Sequence, residues 1–154
     1  MASRAFVLGR DEEVDIAAGL VADARGRGML SALPAGLGYA TLTHALLGRH
    51  RDALVSGDEG MRIARDTDQP LWESYTAGAL AHLAAVKGDE APCREYAEAA
   101  GVGRSAPNGS LAGLATAHAA LALLDLGYGR VQAAFDRLVT LVGVRPRADR
   151  AVVR

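Results

Sequence analysis

Apolar and polar positions follow a helical period along nearly the whole chain, and the pattern restarts four times. Each restart is marked by a glycine, at Gly9, Gly48, Gly88 and Gly129, so the intervals are 39, 40 and 41 residues. Aligned on these glycines, position five carries Val14, Ala53, Cys93 and Ala134. Position nine carries Ala18, Gly57, Ala97 and Leu138, and position twelve Val21, Gly60, Ala100 and Leu141. Steps of four and three trace one face of a helix, and a face this small calls for a second backbone close against it. Gly57 and Gly60 would each cost about 1 kcal/mol in an exposed helix, so their presence predicts close packing. Before each glycine a second helical face is visible in Thr41, Ala81 and Ala122 and in Ala45, Ala85 and Leu126. Each unit is therefore a first helix, a turn at the glycine and a second helix. The glycine leaves the first helix through a left-handed conformation.

The pattern predicts helices at about 11–27, 32–47, 50–66, 70–87, 90–103, 110–127 and 130–143. Pro70 suits a first helical position, and Asn108 or Ser110 suits a cap. No stretch alternates with period two for long enough to make a strand. The expectation is an all-α array of antiparallel helix pairs with a repeat of about 40 residues, in one domain over 1–154. The first glycine has only a short apolar run before it, with Phe6, Val7 and Leu8, and "RADRAVVR" resembles the start of another unit. An array interrupted in mid-unit at both ends is expected to be a piece of a longer multidomain protein, and its uncovered ends predict a homodimer.

Composition narrows the function classes. Half of the 154 residues are apolar, aromatic residues are scarce and the formal net charge is −1. No bulk basic field attracts nucleic acid, and Arg145, Arg147, Arg150 and Arg154 form a solvated chain end. The single cysteine, Cys93, excludes an internal disulfide and suits a reducing, cytoplasmic compartment. Neither a membrane span nor a signal peptide is visible.

Three segments carry a resemblance: "ARGRGMLSALPAGLGYATLTHALLGRHRDAL", "RIARDTDQPLWESYTAGALAHLAAVKGDEAPCREYAEAA" and "ALALLDLGYGRVQAAFDRL". They resemble tetratricopeptide repeats, in the longer, degenerate form found in the middle of large LuxR-type bacterial transcriptional regulators of the maltose-activator kind. The resemblance implies a tetratricopeptide-like α-α superhelix. It also implies a sensor or scaffold role beside neighbouring domains of the parent chain, one binding ATP and one binding DNA. This chain has no G-x-x-x-x-G-K-[ST] loop and no basic helix-turn-helix, so direct contact with ATP or nucleic acid is not expected of it.

No catalytic constellation stands out, and neither an enzyme activity nor a cofactor is expected. His44, His82 and His118 recur about once per unit, but at four, six and eleven residues before the glycine, so they point in different directions. Cys93 lies on the small face and reads as a core residue. Asp11, Glu12, Glu13, Asp89 and Glu90 open helices, where negative charge meets the positive dipole end. In arrays of this kind the first helices line the concave surface. Positions ten, six and three before the glycine, with Tyr75 and Thr116 at thirteen, define an apolar groove with polar handles. Its candidate binding residues are Leu42, Tyr75, His82, Thr116 and Leu123, for a protein partner or a small-molecule inducer. The alternative is that the chain itself fills this groove, or that the segment mainly mediates self-association.

Overall fold

The computed structural model describes residues 11–103 and 108–143. Among them are seven α-helices: α1 (Asp11–Gly26), α2 (Leu33–Leu46), α3 (His50–Asp66), α4 (Pro70–Lys87), α5 (Glu90–Ala99), α6 (Leu111–Gly127) and α7 (Val131–Gly143). A single 3-10 turn, Leu30–Ala32, leads into α2. No strand occurs among the described residues. Gly9, Phe6 to Leu8, Ala151 to Val153 and the C-terminal arginines lie outside them.

The helix limits follow from local chemistry. Pro70 sits in the first turn of α4, where its missing N–H costs nothing. Ser110 caps α6, its Oγ accepting from the Gly113 N–H at 3.1 Å. Helix α5 stops at Ala99, short of the expected 103, because the chain turns through Gly101 at φ 108°. The three described marker glycines leave their helices in left-handed conformations, with φ of 72° at Gly48, 76° at Gly88 and 71° at Gly129. Each closes the same pair of bonds: Gly48 N–H to Ala45 O with Arg49 N–H to His44 O, Gly88 to Ala85 with Asp89 to Ala84, and Gly129 to Leu126 with Arg130 to Asp125. Gly28 and Asp68 close the turns between units in the same way, Asp68 at φ 52° without being glycine. Positive-φ residues thus fall at 28, 48, 68 and 88, one every 20 residues, and then unevenly at 101, 103 and 129.

The helices form two layers. The A layer, α2, α4 and α6, packs helix on helix, with α4 in the middle; the B layer, α1, α3, α5 and α7, packs mainly on A helices. Glycines set the distances. A Cβ on Gly78 would overlap the Gly113 carbonyl, and one on Gly113 would overlap the Ser74 carbonyl, so α4 and α6 meet backbone to backbone. A Cβ on Gly38 would stand 2.9 Å from Thr76 Oγ1, so α2 meets side chains of α4. In the B layer, Gly57 faces the Leu80 methyls and Gly60 faces Leu37, as their small face predicts.

The main core joins Ala53, Met61, Leu80, Leu83, Cys93, Ala97, Leu121 and Leu124. Burial of these apolar atoms is the main stabilising contribution, and the small residues let it be shared between closely spaced helices. Buried Thr41 is hydrogen-bonded to its own helix and buried Ser74 across elements, whereas buried Thr76 Oγ1 has no hydrogen-bond partner among the described residues. Ser74 Oγ donates to the Ala100 carbonyl at 2.9 Å and accepts from the Ser110 N–H at 3.1 Å, tying α4 to the segment between α5 and α6.

Candidate interaction face

Among the described residues, one side of the A layer brings three aromatic rings into mutual contact. Tyr39 on α2 and Trp72 and Tyr75 on α4 form a mutually edge-to-face triad, with ring centroids 5.5, 5.5 and 5.7 Å apart. This is the favoured geometry for aromatic quadrupoles. Leu42, Tyr75 and Ala79 form a buried cluster beneath it, with Trp72 packed against them. Burial pushes the Tyr75 hydroxyl well above the ordinary phenol range, with Tyr39 adding to the shift. Tyr39 is exposed on the outer side, together with Leu46 and Val86, and Trp72 is half-buried.

The expected groove residues divide accordingly. Leu42 and Tyr75 are its floor, closed over by the chain's own side chains. His82 and Thr116 are half-buried, and Leu123 is exposed. Thr116 Oγ1 donates to the Ala112 carbonyl at 2.8 Å, so its hydroxyl is occupied by its own helix. Burial lowers the His82 pKa, so the ring is a neutral donor and acceptor near pH 7.

The positions ten and three before the marker glycine do not lie in the groove. Gly38, Gly78, Ala45 and Ala85 are buried. Gly38 and Gly78 lie against the next A helix. The more open side differs from unit to unit: Tyr39 and Leu46 on α2, Trp72, His82 and Val86 on α4, and Thr116 and Leu123 on α6, while Ala79 and Ala120, at the place of Tyr39, are buried. Tyr39 stands at nine and Trp72 at sixteen, and neither is visible in an alignment rotated by one residue. The step between helical neighbours is three or four, and the wrong choice moves a face by about 100°.

The histidines do not converge. His44, His82 and His118 are all half-buried, and burial lowers the pKa of each. Among the described residues no group of three His, Cys, Asp or Glu side chains could hold a metal ion. Cys93 is buried, and burial pushes its thiol up to about 11, which makes it a core residue and a poor nucleophile.

A polar cluster ties the last turn together. Asp125 on α6 is buried, and its carboxylate accepts from Arg130 Nε at 2.8 Å and from Arg137 Nε at 2.7 Å. Arg130 also reaches Glu90 at 3.0 Å, which Arg94 holds at 2.7 Å, so α5, α6 and α7 share one ionic chain. Arg130 lies 4.7 Å from the Tyr128 ring centre, and the Tyr128 hydroxyl donates to the Gly88 carbonyl at 3.0 Å. Burial by itself raises the Asp125 pKa, but the hydrogen bonds from Arg137 and Arg130 outweigh it and hold the carboxyl below its ordinary range. Glu90 does more here than favour a helix start: it links consecutive hairpins.

The chain matches no family model, no curated protein and no solved structure. Among the described residues no helix is long and apolar enough to cross a membrane. Grooves follow the B layer. One of about 290 Å³ separates α3 from α5, between Met61, Arg65 and Tyr96, and one of about 320 Å³ lies between α1 and α3 above Leu37 and His44. The B helices are therefore splayed where the A helices touch.

Proposed function

We propose that the chain is a non-enzymatic interaction module, a tetratricopeptide-like α-α superhelix of helix pairs about 40 residues long whose A layer receives a partner. The A helices meet through Gly78 and Gly113, whereas grooves separate the B helices. Each hairpin is a wedge with its thin edge on the A side, and a stack of wedges curves toward that side. This supports the A layer as the concave wall. The observation that carries the binding role is the aromatic triad, in which exposed Tyr39 and half-buried Trp72 stand on buried Tyr75, continued by His82 and Leu123. Tryptophan and tyrosine on a rigid apolar floor are what binding hot spots are made of.

The partner is an amphipathic protein segment or a small apolar inducer with a polar group for His82. The resemblance to LuxR-type regulators supports a role as the sensing segment of a cytoplasmic transcriptional regulator, acting on neighbouring domains. A second reading, a repeat segment that mediates self-association, is favoured by apolar side chains exposed on α6 and α7.

Trp72 is the only tryptophan, so its emission reports on this face alone. Peptides selected by display on the wild-type chain should shift and quench that emission, and should lose binding to Tyr39→Ala and Leu123→Glu. Selected peptides that bind both variants unchanged and leave Trp72 emission untouched would place binding elsewhere and end the proposal.

A further inference from the structure

Asn108 is the chain's only asparagine, and Gly109 follows it. The pair lies on the way from α5 into α6. Asn108 is exposed in a turn and Gly109 is half-buried in a bend, both outside any helix. Immediately after them the chain is tightly held. Ser110 is buried, its N–H donates to Ser74 Oγ at 3.1 Å, and its own Oγ accepts from the Gly113 N–H at 3.1 Å. Gly113 in turn stands against the main chain of Ser74. A chemically labile pair is thus open to water two residues before the cap that docks α6 on α4. The charge at this place is also unlike that of the other helix starts. α3, α4 and α5 carry Asp52, Glu73 and Glu90 in their first turns, whereas the first turn of α6 has no acidic residue.

We propose that Asn108–Gly109 is a self-modification site, at which the chain converts its own asparagine to aspartate or isoaspartate and so adds a negative charge beside the start of α6. The reaction needs only water. The Gly109 amide nitrogen gives up its proton and attacks Asn108 Cγ. A Cγ–N bond forms, the Cγ–Nδ2 bond breaks, and Nδ2 leaves as ammonia with that proton. The product is a five-membered succinimide ring. Water then opens the ring on either side, its hydroxyl going to carbon and its proton returning to the Gly109 nitrogen. Opening at Cγ gives aspartate with an ordinary main chain. Opening at the Asn108 main-chain carbonyl gives isoaspartate, whose main chain runs through the side chain and is one carbon longer. Glycine at 109 favours ring closure, because no Cβ crowds its nitrogen and its backbone bends freely.

The two products act on α6 in opposite ways. Aspartate sets a carboxylate before the unpaired N–H groups of the first turn, where negative charge stabilises a helix. Isoaspartate inserts an extra main-chain atom two residues before Ser110. That displaces the Ser110 N–H from Ser74 Oγ and loosens the seat of α6 on α4. The inference uses no residue of the aromatic face and is tested independently of it.

The full chain, kept native in mildly alkaline buffer and sampled over days, should gain one mass unit. Tryptic digestion should place the gain in the peptide from Ser105 to Arg130, and isoaspartyl methyltransferase should label that peptide. The native rate should lie within tenfold of the rate for the same chain unfolded in urea, and Gly109→Ala should slow it at least tenfold. Asn108→Asp should melt above the wild type, and the isoaspartate fraction isolated from aged protein should melt below it. Should Gly109→Ala disturb the fold, the mapping and the two rates measured on the wild type decide alone. A native chain that converts more than tenfold more slowly than the unfolded one overturns the proposal. So does a mass gain that maps to Gln69 or Gln132, or that a folded Gly109→Ala variant leaves unchanged. Aspartate and isoaspartate forms that both melt with the wild type overturn the effect on α6.

Discussion

The A and B layers are built from the same alanine-rich sequence and are held together in different ways. In the A layer, α4 and α6 touch through main chain, at Gly78, Gly113 and Ser74. In the B layer, the helices reach one another through long charged side chains, as in the pair Arg25–Glu59 at 2.7 Å between α1 and α3. Main-chain contact fixes a distance to a fraction of an ångström, and a solvated ion pair fixes very little. The layer without side-chain slack sets the geometry of the stack, and the layer with slack follows it.

The sharpest way to break this comparison is Gly113→Ala. The added methyl meets main-chain atoms of Ser74 and Tyr75 that cannot rotate away. We expect a loss of about 3 kcal/mol or more in urea unfolding, although alanine itself favours helix by up to about 1 kcal/mol. Gly57→Ala meets the Leu80 side chain, whose end can turn aside, and should cost far less. Equal effects at the two sites would erase the distinction between the layers. Next comes Asp125→Ala, which strands Arg130 and Arg137 without their buried acceptor. About 2 kcal/mol should be lost, with Asp125→Asn intermediate.

The pH response sharpens the contrast further, because the depressed histidines all lie on A helices. Each folded pKa is below the unfolded value of 6.5, so the unfolded chain binds protons first. Their contribution is present above pH 6.5, begins to be lost as pH falls below that value, and is gone below the lowered folded pKa. The urea midpoint should drop between pH 7.5 and 5.5, and His82→Gln should flatten the drop. A flat profile in the wild type would show that the histidines are solvated. The lowered Asp125 adds a second loss in the same direction, starting as pH falls toward its unfolded value of 3.8. The smallest effect belongs to the B layer. Arg25→Ala should change stability by no more than about 0.5 kcal/mol, less in high salt.

Helix limits were legible because Gly48, Gly88, Gly129, Pro70 and Ser110 carry their reasons in their own chemistry. Asp68 was not, since an aspartate in a left-handed turn looks like any surface aspartate until its φ is known. The small faces at Gly57 and Gly60 were readable as contact surfaces, and their partners, Leu80 and Leu37, were not. Of the candidate groove residues, Leu42 and Tyr75 are buried by the chain itself and His82 is half-buried, and the repeat pattern points to Gly38, which is buried, where Tyr39 is exposed. The chain from Arg94 through Glu90 and Arg130 to Asp125 joins residues up to 40 apart, and no periodicity marks which of many charges will meet.

The even spacing of left-handed turns at Gly28, Gly48, Asp68 and Gly88 bears on how the chain acquires its fold. Extensive packing joins no two described helices more than two elements apart. Every such contact can close soon after the residues that make it have left the ribosome, without waiting for a distant partner. Low contact order of this kind favours fast folding with a small loop-closure penalty. The chain can thus be completed hairpin by hairpin during its own synthesis, each new pair laid on a surface that already stands.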